Sequence, residues 1–155
     1  MPYRICKQIV VESGHMLAKH PDKCQFPHGH TRRVEFILEA DDLDANDMVC
    51  DFKVITSTVN ELLQSFDHSM CMNTDDPKYA EFKAAYGDRI IGFNHTDPTT
   101  EVIAKTIFDA ARARLLLYAR QPDVPFPLRE TVRLLRVRVW ETETSWAEYL
   151  HRDAV

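Results

Sequence analysis

Alternation of apolar and polar positions predicts strands near both ends of the chain. Residues 4–12 are rich in Ile and Val, and residues 31–39 alternate between apolar and charged side chains. The same alternation returns in residues 131–140, and residues 145–150 form a short closing strand. Because a side-chain period of two is typical of a half-buried strand, the pattern predicts two strands early in the chain and two late in it.

Two helical patterns lie between these pairs of strands. Apolar residues recur at three- and four-residue steps from Phe52 to Phe66, and Asp51 is the expected N-cap of that helix. A second helix is predicted to begin near residues 97–101, where a proline stands in the first turn. The order ββααββ favours an α+β domain, with an antiparallel four-stranded sheet and two helices on one face.

A long insert separates the two predicted helices, at about residues 72–96. The aromatic spacing between Tyr79 and Tyr86, followed by Gly87, predicts a short extra helix with a glycine stop. A segment of this length within a compact domain is usually functional or mobile. We interpret residues 1–155 as a single domain that carries this insert.

The composition is that of a soluble globular domain, with 45% hydrophobic and 28% charged residues. A net charge of −5 argues against a general nucleic-acid binder. The N-terminal residues lack a secretory pattern and no stretch is apolar over the length of a membrane span, so we expect a cytoplasmic protein. Its cysteines are then expected to be reduced, with Cys6, Cys50 and Cys71 as small buried side chains.

The segment from Cys24 to His30 carries the first candidate chemistry. His28 and His30 are two residues apart, and in a strand such a pair projects to the same side. His15 lies just beyond the first predicted strand, which we expect to pair with the strand that follows His30. Three imidazoles around Zn²⁺ would leave a fourth position open, as in catalytic zinc sites. The alternative for His15 is a hydrogen-bonded loop histidine.

Cys24 admits two interpretations. As a fourth ligand its thiolate would close the metal site and make it structural. As a free thiol beside the metal it could act as a base or a nucleophile. The positive charges nearby, Lys19, Lys23 and Arg32, are expected to lie on the solvated surface. The same surface position is expected for the histidines without ligand spacing, which are His20, His95 and His151.

Asp67 and His68 end the first predicted helix. A carboxylate beside an imidazole at a helix C-terminus favours the imidazolium and makes a suitable proton carrier. The alternative is a polar pair at a helix end, exposed to solvent.

Glu141 continues the alternation of the last long strand, so it shares a face with Val137 and Val139. A carboxylate on an apolar face needs a partner, and two adjacent N–H donors of a 2-amino-4-oxo pyrimidine ring would provide one. Alternatively the strand ends at Trp140 and Glu141 turns into water.

Together these motifs resemble those of the 6-pyruvoyltetrahydropterin synthase / 6-carboxytetrahydropterin synthase family. The matching elements follow one another in the family's order: Gly14-His15, Cys24-x-x-x-His28-Gly29-His30, Phe66-Asp67-His68, Pro98-Thr99-Thr100-Glu101 and Glu141-Thr142. One such motif is a weak signal, whereas five in the same order are specific. Two departures are Ser69, where many members have a second basic residue, and the long insert.

The resemblance implies a tunnelling fold, or T-fold, that assembles as a homohexamer with active sites between subunits. By position, the ligands of Zn²⁺ would be His15, His28 and His30. A proton-transfer set would be formed by Cys24, Asp67 and His68. The pterin would be held by Glu141 with Thr100 and Glu101.

The substrate implied by the resemblance is 7,8-dihydroneopterin triphosphate, and the enzyme would be a zinc-dependent lyase. The short spacing Cys-x-x-x-His-Gly-His resembles the bacterial carboxy-forming members, which feed queuosine synthesis. We therefore expect 6-carboxytetrahydropterin, acetaldehyde and triphosphate as products. The alternatives are a 6-pyruvoyltetrahydropterin synthase, which only eliminates triphosphate, and a zinc- and pterin-binding module without catalysis.

Overall fold

The fold is built on a long antiparallel hairpin. A computed structural model describes residues 1–152, so the last three residues of the predicted domain lie outside the described residues. Strand β1 (Tyr3–Met16) pairs with β2 (His28–Ala40), and His15 lies directly opposite His28. The predicted pairing of the two histidine-bearing strands is confirmed. Both strands are longer than predicted, because the histidines themselves continue the alternation.

The sheet has six strands in the order β4-β3-β1-β2-β5-β6. The predicted late strands are β5 (Arg133–Trp140) and β6 (Trp146–Leu150), which pair antiparallel. Strands β3 (Ser69–Asn73) and β4 (Ile90–Phe93) add a parallel extension beyond β1. The α+β class is confirmed, but the four-stranded ββααββ layout is wrong. Strands of five and four residues are too short for a period of two to stand out in the sequence.

The two predicted helices are present and begin at the expected residues. Helix α1 (Phe52–Phe66) follows Asp51, whose carboxylate accepts a hydrogen bond from a backbone N–H of the first turn. The third helix of the chain, α3 (Thr100–Ala119), is capped in the same way by the hydroxyl of Thr99. Such caps satisfy N–H groups that have no partner within the helix.

The insert contributes to the sheet and is not an irregular loop. It contains helix α2 (Tyr79–Tyr86) and then strand β4. Gly87 follows α2 with a φ of 58°, a conformation that glycine adopts without steric cost. The predicted short helix with a glycine stop is therefore confirmed.

Helices α1 and α3 cover one face of the sheet, and the main apolar core lies between the two layers. Inward positions of β1, β2 and β5, such as Val11, Phe36 and Val137, belong to the same core as Ile55 of α1 and Phe108 of α3. Ser13 and His15 continue the inward side of β1 beyond this core and are also buried. The core thus ends where the histidines begin. A smaller cluster of Met16, Met72 and Ile90 packs against Phe82 of α2. Within the described residues, no helix is long and apolar enough to cross a membrane.

All four cysteines are free thiols, but they differ in burial. Cys50 and Cys71 are buried as predicted, and burial raises the pKa of both thiols to about 11. Cys6 is exposed, so the prediction of a buried side chain is wrong there. Its side chain belongs to the face of the sheet that lies opposite the two helices.

We expect the stability of the protein to fall between pH 9 and pH 11. In the unfolded chain a thiol loses its proton near pH 8.5, while Cys71 in the folded protein keeps its proton up to about pH 11. The stabilisation from Cys71 is therefore complete below pH 8.5, and about 3 kcal/mol of it is lost as the pH rises from there through pH 11. Denaturant unfolding at pH 8 and pH 10.5 measures the decline. Cys71→Ala should make it shallower, and an unchanged pH dependence in that variant would contradict the assignment.

Candidate functional site

Three imidazoles converge at the end of the β1–β2 hairpin. His15 opposes His28, and His30 opposes Ser13, so the three rings emerge on the inward face of the two strands. One nitrogen of each ring lies within 4.8 Å of the other two, and His15 Nε2 is 3.3 Å from His30 Nε2. We call these three residues the histidine triad. In the part of the chain that the structure describes, this group of potential ligands does not include the Cys24 thiol.

Backbone carbonyls fix the orientation of two rings of the triad. His15 Nδ1 is 2.8 Å from the carbonyl oxygen of Pro98, and His28 Nδ1 is 2.8 Å from that of Phe26. A ring nitrogen that faces a carbonyl oxygen must carry the proton, so Nε2 keeps its lone pair for a metal. His15 is hydrogen-bonded, but it lies within strand β1, so the alternative of a loop histidine is wrong.

Electrostatics favour the neutral form of two rings of the triad, His15 and His30. Burial is the main cause that lowers the pKa of His15 to about 4, and it also lowers the pKa of His30. The nearby Arg32 guanidinium acts in the same direction on both rings. Metal ions bind the neutral imidazole, and three imidazoles are a donor set that suits Zn²⁺. The histidine triad therefore fits the metal that the sequence predicts.

Strand β5 ends at Trp140, as the alternative predicted, but Glu141 turns toward the histidine triad and not into water. Its Oε1 lies 3.5 Å from Nε2 of His15 and 3.5 Å from Nε2 of His30. The same oxygen accepts a hydrogen bond from the hydroxyl of Thr100 at 3.0 Å. The carboxylate thus has a partner at the start of helix α3, although it shares a face with the apolar core.

A cavity of about 290 Å³ adjoins these groups. Four predicted site residues line it, and they are Cys24, Thr100, Glu101 and Glu141. His20 and Trp146 line it as well, and neither was predicted. His20 is half-buried and faces this cavity. The cavity is close to the size of a small-molecule site, and it presents a thiol, two carboxylates and a hydroxyl to one ligand.

The surface position that the sequence predicts for Arg32 is wrong. Its side chain is one of the most buried in the protein, with 1% of its surface exposed. Nη1 donates a hydrogen bond to the Thr100 hydroxyl at 3.1 Å, and Nη2 lies 3.3 Å from His15 Nδ1. Burial lowers the pKa of Arg32, and Glu141 opposes that shift. The sequence did indicate this position, because Arg32 lies at an even number of residues from His28 and His30 along β2 and therefore faces the same side of the sheet.

Asp97 is a second residue that sequence reasoning missed. Its carboxylate accepts hydrogen bonds from the backbone N–H groups of Ala18 and Lys19, at 3.0 and 2.8 Å, and from the side-chain amide of Asn73 at 3.0 Å. It therefore ties the loop after β1 to the segment that carries the Pro98 carbonyl. No spacing in the sequence indicates these partners, since the bonds to the loop span almost eighty residues.

Asp67 and His68 form the predicted pair, at a distance from the cavity of Cys24. His68 Nδ1 is 2.8 Å from Asp67 Oδ2, and Asp67 Oδ1 accepts a hydrogen bond from the backbone N–H of Glu12 at 2.8 Å. The backbone bond and then His68 hold the pKa of Asp67 below its usual range. The His68 side chain is exposed and lines a different cavity, beside Tyr86. Within residues 1–152, a single chain does not bring Cys24 and His68 into one cavity.

Comparison with known proteins gives consistent results. Residues 4–152 match the family described as 6-pyruvoyl tetrahydropterin synthase. The 6-carboxy-5,6,7,8-tetrahydropterin synthase of Aquifex aeolicus is 30% identical over 167 residues, which cover 96% of this chain and 98% of that protein. The Bacillus subtilis protein of the same name is 26% identical over 148 residues, covering 95% of this chain and 84% of the relative.

Solved structures share the fold. An uncharacterized protein from Wolinella succinogenes superposes with a TM-score of 0.77 at 20% identity, covering 98% of this chain and 99% of the other. The 6-pyruvoyl tetrahydropterin synthase of Plasmodium vivax superposes with a TM-score of 0.70 at 15% identity, covering 99% of each chain. The T-fold implied by the sequence motifs is therefore present, with six strands where four were predicted.

Proposed function

This chain belongs to the 6-pyruvoyl tetrahydropterin synthase family, and we propose that it is a zinc-dependent 6-carboxy-5,6,7,8-tetrahydropterin synthase. Its substrate would be 7,8-dihydroneopterin triphosphate. The observation that carries the proposal is the contact between two sites of different chemistry. Glu141 reaches the histidine triad with one oxygen and also lines the cavity that Cys24 lines. A ligand in that cavity would lie beside both a metal and a thiol.

The residues that would hold zinc are His15, His28 and His30. Bound there, zinc would act as a Lewis acid that stabilises negative charge developing on the oxygens of the substrate side chain. The protein contributes the orientation of the rings through the carbonyls of Pro98 and Phe26. Burial lowers the pKa of His15 and of His30, so that protons compete less with the metal at these two rings.

The pterin ring would be held in the same cavity by Glu141. Glu141 accepts hydrogen bonds, and the 2-amino-4-oxo ring of a pterin offers two adjacent N–H donors to a carboxylate. Thr100 orients Glu141, and Glu101 supplies a second carboxylate to the same cavity. Cys24 would then remove a proton from the side chain of the bound substrate.

Proton transfer on the other side of the substrate is assigned to His68, oriented by Asp67. Because Cys24 and His68 line separate cavities of one chain, this assignment requires a second copy of the chain. We therefore propose a homo-oligomer in which one subunit provides Cys24, Glu141 and the triad, and its neighbour provides Asp67 and His68. The exposed His68 side chain is consistent with such a position.

The test is product identification. The zinc-loaded protein is incubated with 7,8-dihydroneopterin triphosphate, and the pterin, the acetaldehyde and the triphosphate are each quantified. We expect all three in equal amounts, since relatives that span most of this chain are named 6-carboxy-5,6,7,8-tetrahydropterin synthases. Triphosphate with a pyruvoyl pterin and no acetaldehyde would replace the proposed product by the pyruvoyl alternative. Pterin binding without turnover would identify a binding module.

Glu141→Gln should weaken pterin binding about a hundredfold and leave the zinc content unchanged. The amide cannot accept both N–H donors, and each hydrogen bond to a charged group contributes about 1.5–3 kcal/mol. Fluorescence titration with neopterin and metal analysis measure the two quantities. Glu143→Gln is the matched control, because Glu143 is an exposed carboxylate two residues away. Wild-type affinity in Glu141→Gln would refute the assignment.

A further inference from the structure

Arg32 is a buried cation with few partners. Among its nitrogens, Nη1 has the Thr100 hydroxyl as a partner, and Nε has no hydrogen-bond partner. Nη2 faces His15 Nδ1, but that nitrogen already donates its proton to the Pro98 carbonyl, and a guanidinium offers no lone pair. Burying a cation with so few partners costs free energy of folding, so stability does not explain why Arg32 is buried.

Arg32 is connected to Glu141 by hydrogen bonds through Thr100. Thr100 has one hydroxyl proton, and its oxygen accepts from Arg32 at 3.1 Å. That proton is therefore left for the carboxylate of Glu141, which Thr100 contacts at 3.0 Å. Arg32, Thr100 and Glu141 form a chain of hydrogen bonds that all run in one direction. We call this chain the Arg32 relay.

We infer that Arg32 is the positioning residue of the pterin site, and that through Thr100 it competes with the metal for Oε1 of Glu141 and so keeps the carboxylate available to the pterin. The inference rests on the proposed function, because it assumes a pterin at Glu141 and a metal on the histidine triad. Arg32 has almost no exposed surface, so it touches neither ligand and acts only through Thr100 and its charge.

Glu141 needs such restraint because it lies within reach of the metal. Its Oε1 is 3.5 Å from Nε2 of His15 and from Nε2 of His30, and these two nitrogens are 3.3 Å apart. In tetrahedral zinc with bonds of about 2.0–2.1 Å, neighbouring ligand atoms are about 3.3–3.5 Å apart. Oε1 therefore already lies at the spacing of a fourth ligand, and the hydrogen bond from Thr100 and the charge of Arg32 compete with a metal for this oxygen. Without them, the carboxylate would become a fourth ligand. The carboxylate would then occupy the open coordination position of the metal and lose its orientation toward the pterin.

The experiment compares Arg32→Met with Arg33→Met in the full-length protein. Arg33 is the matched control, because it is the next residue on β2 and its guanidinium lies over Trp140, on the opposite face of the sheet. We expect Arg32→Met to raise the dissociation constant of neopterin about tenfold, as for a lost charge-assisted contact. With Co²⁺ as the metal, we expect its visible absorption to change in Arg32→Met and to return toward wild type when Glu141→Gln is added. Arg33→Met should change neither property.

Further variants separate positioning from a structural role. Thr100→Val should reproduce the loss of affinity, and the double variant Arg32→Met/Thr100→Val should lose little more than either single variant, because both break one chain. Arg32→Lys should restore part of the affinity. Arg32→Met should unfold at the wild-type denaturant concentration or above it, because methionine fills a similar volume without a buried charge.

Two outcomes would overturn the inference. One is wild-type neopterin affinity in a folded Arg32→Met variant, and the other is an unfolding midpoint that falls in proportion to the lost affinity. Failure of the proposed function would look different, because the wild-type protein itself would then bind no neopterin or would not turn over dihydroneopterin triphosphate.

Discussion

Replacing His30 by alanine should remove the metal and all turnover. Two imidazoles would remain, and we expect the zinc affinity to fall about a thousandfold or more, since loss of an outer-shell partner alone costs about 10–100-fold. His30 is the best member of the triad to change, because it is partly exposed whereas His15 is fully buried. Replacing the buried His15 would leave a cavity in the core, so a loss of folding could not be distinguished from a loss of metal binding. The measurement is zinc per chain after dialysis, together with the unfolding curve.

His95→Ala is the control for that experiment. His95 is an exposed histidine that pairs with Asp75 at 2.7 Å and lies outside the histidine triad. It should keep both the metal and the activity. Full zinc content and turnover in His30→Ala would show that the metal is held elsewhere, and the proposed Lewis-acid role of the triad would be lost with it.

The sequence predicted the parts of the fold that repeat regularly. Helices α1 and α3 have continuous apolar stripes and side-chain caps at Asp51 and Thr99, so their starts could be located from local chemistry. The parallel strands β3 and β4 could not, because their place in the sheet depends on pairing with β1 and not on their own pattern. Local periodicity does not encode which distant edge a short strand will join.

In the candidate site, too, residues with a local sequence pattern were predicted and residues that depend on distant contacts were not. The spacing of His28 and His30 and the pairing of β1 with β2 were enough to predict the convergence with His15. Arg32 was assigned to the surface because charged residues are rarely buried, although its parity along β2 points inward. The Asp97 contacts join residues from three separate segments, and a single sequence gives no sign of them.

Cys24→Ala should lower turnover about a thousandfold while the zinc content stays at the wild-type level, as expected for loss of a general base. The reason is geometric: the thiol lines the cavity of Glu141 but does not belong to the group of ligand atoms formed by the histidine triad. Cys6→Ala is the control, because it removes an exposed thiol on the opposite face of the sheet. Loss of zinc in Cys24→Ala would make Cys24 a fourth ligand and the site a structural one.

The same variant tests whether the site is shared between subunits. Cys24→Ala and His68→Ala should each be inactive alone, because each lacks one of the two proton-transfer groups. If Cys24 and His68 meet across an interface, subunits of the two variants that are unfolded and refolded together will form some sites with both groups intact. Random mixing in a symmetric homo-oligomer would restore about a quarter of the wild-type sites. If both groups acted within one chain, every chain would still lack one of them, and mixing would restore nothing. Recovery of activity would therefore assign His68 to the neighbouring subunit's site and explain why this exposed, carboxylate-paired histidine lies apart from the cavity of its own chain.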